Sequence, residues 1–216
     1  MASFHFSSYP GSLALATEDG LVVGGIDSIQ NFHIRKIPLG CQPRRICHMK
    51  SSKSFLLAVE VSETGEVESD ELNSYLRLLD QTTFEMKHEV PLKENETVWS
   101  MCTCVFDEDP VEYFVIGTGF VIPDDDETTN GRIIVFDPTH EQLQTVCETE
   151  ASGVVTSMVS IKGKLGASVN NDICIYKWNQ SGGDSRYLDV LARESGRVFS
   201  QTLSARGELL LLGDLM

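Results

Sequence analysis

The chain has 216 residues, 41% of them hydrophobic, which is enough apolar material for a sizeable core. Its formal net charge of −15 argues against an electrostatic grip on nucleic-acid phosphates and against docking on an anionic membrane surface. The six cysteines (Cys41, Cys47, Cys102, Cys104, Cys147 and Cys174) form no CxxC pair and have no histidine at zinc-ligand spacing. They read as scattered buried thiols of a reducing compartment. The N-terminal MASFHFSSYPGS lacks the basic and apolar regions of a signal peptide, and no apolar run approaches the roughly 18 residues of a membrane span. A soluble, intracellular protein is expected.

Taken in order, the chain is a series of short β-rich runs separated by turns. Ser12 to Thr17 and Leu21 to Ile26 flank Glu18-Asp19-Gly20, a hairpin signal, and Phe32 to Ile37 alternates until Pro38 ends it. Arg44 to Met49 and Ser54 to Val61 follow. The acidic stretch 62–71 has no apolar pattern and reads as a solvated loop inserted in a hairpin. Tyr75 to Asp80, Phe84 to Val90 and Val98 to Phe106 continue the strands as far as a turn at Asp107-Glu108-Asp109-Pro110.

The clearest unit comes next. Tyr113 to Ile122 and Arg132 to Phe136 are apolar runs joined by Pro123, the acids Asp124, Asp125, Asp126 and Glu127, and the pair Asn130-Gly131. Asn-Gly readily takes the positive φ of tight turns, so the two runs predict a hairpin. Gln142 to Thr149, Val154 to Ile161, Lys164 to Val169, Asp172 to Trp178, Tyr187 to Ala192, Val198 to Leu203 and Leu209 to Gly213 complete the series.

The pattern restarts near Ser12, Ser54, Tyr113, Lys164 and Glu208, at spacings of 42 to 59 residues with four strands per cycle. Propeller blades of four strands repeat at about 40–50 residues, whereas a sandwich has no reason to restart on such a cycle. The expected fold is all-β: a partial, open seven-bladed β-propeller over 1–216. It has roughly four four-stranded antiparallel blades, the start of another, and the acidic insertion. A final apolar strand with no following partner is expected of a piece of a longer protein.

No chemistry stands out. Gly117-Thr118-Gly119 lacks the third glycine, the Lys-Ser/Thr pair and the helix of a phosphate loop, so crowding between neighbouring blades is the expected reason for these glycines. The Asp124–Glu127 run lacks the alternation and the glycine of an EF-hand loop. The five histidines are dispersed, and with 32 acids any glycosidase-like pair is an arbitrary choice. No enzyme and no cofactor are expected. Trp99 and Trp178 read as packing residues, and Pro43-Arg44-Arg45 is the one candidate basic patch.

YPGSLALA (Tyr9 to Ala16), IDSIQNFHIRKIPLGCQPRRI (Ile26 to Ile46), YFVIGTGFVIPDDDETTNGRIIVF (Tyr113 to Phe136), KLGASVNNDICIYKW (Lys164 to Trp178) and LLLLGDLM (Leu209 to Met216) together resemble the family of the large damage-specific DNA-binding subunit. That family comprises triple-propeller adaptors of cullin-4 ubiquitin ligases. The polyadenylation-factor and splicing-factor propeller proteins share its architecture. The resemblance covers the start and middle of the family's third propeller. It implies a non-enzymatic scaffold, linked to DNA-damage recognition and repair, that binds substrate receptors of the WD-repeat type.

The resemblance further implies that cullin-4 is reached through other propellers of the intact protein and nucleic acid only indirectly, with no membrane role. It implies residence in nucleus and cytoplasm. An RNA-processing scaffold is the alternative. The partner-contacting positions implied are Asp125 and Glu127 in the acidic loop, Gly119 before it, and Gly153 and Val154 at a strand start. Phe199, Gln201 and Thr202 complete the set, the last two as polar departures from the family pattern.

Overall fold

The computed structural model describes residues 2–6, 9–17, 20–26, 32–62, 72–121, 130–180, 185–196 and 200–214. Within them the chain divides into two compact units, Met1–Glu94 and Asn95–Met216. The first holds two four-stranded antiparallel sheets. Sheet A contains β1 (Ala2–Phe6), β2 (Tyr9–Thr17), β3 (Gly20–Ile26) and β4 (Phe32–Ile37). Sheet B contains β5 (Gln42–Met49), β6 (Ser54–Ser62), β7 (Leu72–Asp80) and β8 (Met86–Pro91).

The second unit holds three sheets. Sheet C is β9 (Glu96–Phe106), β10 (Asp109–Phe120), β11 (Gly131–Asp137) and β12 (Gln144–Ala151). Sheet D is β13 (Val155–Ile161), β14 (Lys164–Val169), β15 (Asp172–Gln180) and β16 (Arg186–Ser195). Sheet E, among the described residues, is the pair β17 (Ser200–Arg206) and β18 (Leu209–Asp214). One 3₁₀ turn, Thr139–Glu141, precedes β12.

Each four-stranded sheet is an up-and-down meander, with every strand paired to its neighbour in sequence. Sheets that follow one another within a unit pack face to face. Ala14, Leu21 and Val23 of sheet A meet Ile46, Phe55, Leu57 and Val59 of sheet B. Val115, Ile133 and Val135 of sheet C meet Val155, Met158, Leu165 and Ala167 of sheet D. First strands lie alongside one another, β9 with β13 and β13 with β17. Meanders stacked in this way are propeller blades, and the fold is an all-β partial propeller.

The phase of the repeat differs from the sequence reading by one strand. The restarts at Ser54, Tyr113, Lys164 and Glu208 fall at the second strand of sheets B, C, D and E, not the first. In sheets B, C and D the second strands are flanked by strands on both edges and covered on both faces. Ser54 to Glu60, Tyr113 to Gly119 and Leu165 to Val169 are accordingly continuous buried runs. First strands alternate, as in β9, so they stand out less. In sheet A the first strand, β1, escapes the sequence reading.

Three local readings change as well. Pro110 lies within β10, exposed, at a register irregularity between Asp109 and Glu112 where it interrupts no regular ladder. Phe84 does not begin a strand. Its φ of 62° is left-handed, and it closes a turn in which its N–H donates to the Asp80 carbonyl at 3.0 Å. Neither Asn130 nor Gly131 has a positive φ, so the pair is not a tight turn. Gly131 instead begins β11, where a Cβ would strike the backbone oxygens of Thr118 and Gly153. The acidic stretch 62–71 falls outside the described residues apart from Ser62 at the end of β6.

Of Trp99 and Trp178, both expected to serve packing, Trp99 is half-buried beside Gly119 and Trp178 lies in the core. Trp178 of β15 is 2% exposed and stacks on Phe106 of β9, with ring centroids 4.4 Å apart, while Tyr113 lies 5.4 Å away. The Tyr113 hydroxyl donates to Asp109 at 2.7 Å and accepts from Arg186 at 2.8 Å, so the lock between sheets C and D is polar at its edge. Around it the thiols are buried: Cys104 sits beneath Ser160 and Lys164 of sheet D, and burial pushes it up to about 11. Burial also raises Cys147 and Cys174.

Trp178→Ala removes a stacked aromatic from a filled interface and is expected to cost about 3–5 kcal/mol, read from chemical denaturation of the Asn95–Met216 unit. Asp80 concerns pH. Partial burial opposes its ionisation, but Lys87 at 2.9 Å and the N–H groups of Thr82 and Thr83 outweigh that and hold its pKa at about 2. A depressed folded-state pKa adds stability above the unfolded value, about 3.9, that disappears as pH falls through about 2. The stability difference between the parent chain and Asp80→Asn should therefore be largest near neutrality and shrink toward pH 2.

Candidate functional site

The predicted partner positions that are described gather at one end of sheets C, D and E. Gly119 is the penultimate residue of β10, Gly153 and Val154 lie between β12 and β13, and Gln201 and Thr202 follow Ser200 at the start of β17. Asp125, Glu127 and Phe199 lie outside the described residues. The acidic segment's two flanks are nevertheless fixed at this same end. The Phe120 N–H donates to the Asn130 carbonyl at 3.0 Å, and the Val121 N–H donates to the Asn95 carbonyl at 2.8 Å.

Close approach decides which residues can stand here. A Cβ on Gly119 would lie 2.8 Å from Val154 and 3.1 Å from the Trp99 indole nitrogen. One on Gly117 would lie 2.5 Å from the Ser100 hydroxyl and 2.6 Å from Val155. The crowding between neighbouring blades expected of these glycines is thus present. Gly153 has the Asn170 side chain directly over it. Asn170 in turn holds Val154 from both sides, its carboxamide oxygen accepting from the Val154 N–H and its own N–H donating to the Val154 carbonyl, each at 2.9 Å.

Gly119, Gly153 and Val154 are consequently buried between the sheets, whereas Gln201 and Thr202 are exposed, as are Val121, Asn130 and Ser152 at the same rim. Hydroxyl groups tie the first strands together just inside it. Ser100 donates to the Val155 carbonyl at 2.7 Å, Thr156 to the Ser200 carbonyl at 2.7 Å, and Ser168 to that same carbonyl at 3.1 Å.

Beneath the rim runs a network that the sequence reading missed. Arg132 of β11 grips Glu96 of β9 with two bonds of 2.6 Å and reaches Glu148 of β12 at 2.6 Å. Thr118 of β10 donates to Glu96 at 2.6 Å and accepts from the Arg132 N–H at 3.2 Å. All four strands of sheet C are joined in one row. Glu96 is 1% exposed and Arg132 8%, and the two carboxylates outweigh the desolvation that would favour a neutral Arg132, raising its pKa. Glu96 and Arg132 are 36 residues apart, so no local spacing could have paired them.

The basic patch read from sequence is partly consumed within its own sheet. Arg44 bonds the buried Glu60 at 2.7 Å, and Arg45 donates to the Arg44 carbonyl. Among the described residues no group of three or more His, Cys, Asp or Glu is placed to hold a metal ion. The geometry at this end is one of exposed polar groups, Asn130, Ser152, Gln201 and Thr202, over a crowded backbone.

Comparison with known proteins identifies the family. The CPSF A subunit region signature matches residues 73–216. DNA damage-binding protein 1a of Arabidopsis thaliana is 38% identical over 216 residues, all of this chain and 20% of that protein. DNA damage-binding protein 1 of Solanum lycopersicum is 39% identical over 217 residues, and that of Oryza sativa subsp. japonica is 36% identical over 216. The chain spans about one fifth of the length of these relatives. With the signature covering two thirds of the chain and its strands built as propeller blades, the protein belongs to the CPSF A subunit region family.

Proposed function

We propose that the chain is a non-enzymatic adaptor segment that helps to bind substrate receptors in a cullin-4 RING ubiquitin ligase serving DNA-damage recognition and repair. The observation that carries this reading is the 36–39% identity to DNA damage-binding protein 1 relatives, which runs over the whole chain. The mechanism is binding. Stacked sheets hold the rim rigid, so a receptor segment meets a preformed surface and little of its binding energy is lost in ordering the adaptor. Gln201 and Thr202 offer polar contacts, Val121 an apolar one, and Asp125 and Glu127 supply negative charge favouring a receptor segment with basic residues.

Direct contact with nucleic acid is not part of this reading. The net charge is −15 and Arg44 is tied to Glu60, leaving little to attract phosphates. Cullin-4 would be reached through regions outside this chain, and the protein would act in nucleus and cytoplasm. A second reading, an RNA-processing scaffold, is favoured by the CPSF A subunit region signature itself.

Affinity purification of the tagged protein separates the two. Recovery of a cullin and WD-repeat proteins is expected; recovery of polyadenylation or splicing factors in their place would turn the assignment to the second reading. Asp125→Lys with Glu127→Lys, and independently Thr202→Arg, should each lower receptor recovery about tenfold or more by reversing charge or adding bulk at the rim. Undiminished recovery from both variants would remove the rim from the reading.

A further inference from the structure

We infer that between β12 and β13 the partner is met by Ser152, and that Asn170 is the residue that positions it. This rests on the rim reading above and moves the contact within it. Gly153 and Val154, the positions implied there by resemblance, are both buried, Val154 with 2% of its surface exposed. Neither has a face to offer a partner. Ser152, directly before them, is exposed at the same end of the sheets. A contact on this link therefore falls to Ser152.

The link 152–154 is gripped from one sheet and pressed against the other. On the sheet D side, Asn170 stands in the turn between β14 and β15 with a left-handed φ of 50°. Its carboxamide oxygen accepts from the Val154 N–H at 2.9 Å, and its own N–H donates to the Val154 carbonyl at the same distance. On the sheet C side, a Cβ on Gly119 would meet Val154 at 2.8 Å, and one on Gly131 would strike the Gly153 oxygen. The Ser152 hydroxyl accepts from Arg193 at 3.3 Å, and Arg193 is tied to Asp172, the first residue of β15, at 2.8 Å. The chain from Asn170 to Asp172 thus fixes Ser152 twice, through its backbone and through its hydroxyl.

A turn by itself does not call for this side chain. Glycine adopts a left-handed φ with the least strain, so it would serve the turn at position 170 at least as well as asparagine. What glycine lacks is the oxygen that meets the Val154 N–H, a buried donor left without that acceptor once the carboxamide is gone. Aspartate keeps an oxygen in that place.

The test uses the whole chain with Asn170→Gly, Asn170→Asp and Ser152→Tyr, read by hydrogen exchange and by recovery of a WD-repeat receptor. Asn170→Gly should speed exchange of the Val154 amide about tenfold or more, leave the amides of β14 unchanged, and lower receptor recovery about fivefold. Asn170→Asp should stay within about twofold of the parent in both readouts. Ser152→Tyr should lower recovery about tenfold while Val154 exchange does not change. Unchanged Val154 exchange in Asn170→Gly, or an equal loss in Asn170→Asp, overturns the positioning role. Loss of protection throughout sheet D also overturns it, since Asn170 would then be a folding residue. Full recovery from Ser152→Tyr, while Thr202→Arg still loses the receptor, overturns the contact. If Ser152→Tyr, Asn170→Gly and Thr202→Arg all keep the receptor while Val154 exchanges faster in Asn170→Gly, the rim reading fails and the anchoring of the link by Asn170 stands.

Discussion

The part of the molecule that faces the rim hangs from a guanidinium held between two carboxylates. Arg132 is out of water, and its charge is tolerable only because Glu96 meets it with both oxygens and Glu148 accepts from the third guanidinium nitrogen. Because the four groups sit on four successive strands, sheet C cannot slip in register without stranding a buried ion. The neighbouring glycines depend on that register. Gly117, Gly119 and Gly131 leave no room for a side chain only while β10 and β11 stand where the network sets them against Val154, Val155 and the Gly153 carbonyl.

The sheets are joined by a different principle. Within each unit apolar faces supply most of the attraction, but that attraction has no direction. Direction comes from single polar bonds crossing from one sheet to the next: Ser100 to Val155, Thr156 to Ser200, Ser157 to the Leu203 N–H at 2.9 Å. In the Met1–Glu94 unit the link between sheets A and B is held by Arg77, which reaches the Leu39 carbonyl at 3.3 Å and the Cys41 sulfur at 2.9 Å. Arg35 lies over the Phe84 ring at 5.2 Å. These bonds fix the order and offset of the sheets where apolar packing alone would allow several.

The strands were legible because period-two alternation and β-branched runs are local properties. Val115 to Phe120 or Leu165 to Val169 can be recognised without knowing their neighbours. The phase of the repeat was not legible, because a run stands out according to how completely the fold covers it, and the second strands of sheets B, C and D are covered on both faces. Gly131 misled for a related reason: a glycine that admits a backbone oxygen looks the same in sequence as one that turns the chain. At the rim, Gly119, Gly153 and Val154 came from resemblance, and the structure brings them together. Glu96, Arg132 and Glu148 could not be singled out among 32 acids and 17 basic residues, since their pairing exists only once the sheet has formed.

The buried thiols have a chemical consequence for a protein of this kind. Cys104, Cys147 and Cys174 are all pushed by burial toward the protonated form, and the thiol is a far weaker nucleophile than the thiolate. Peroxide, glutathione disulfide and alkylating agents therefore find little to attack in the interior of the Asn95–Met216 unit. The interior sulfur of that unit is thereby kept inert toward such oxidants and electrophiles.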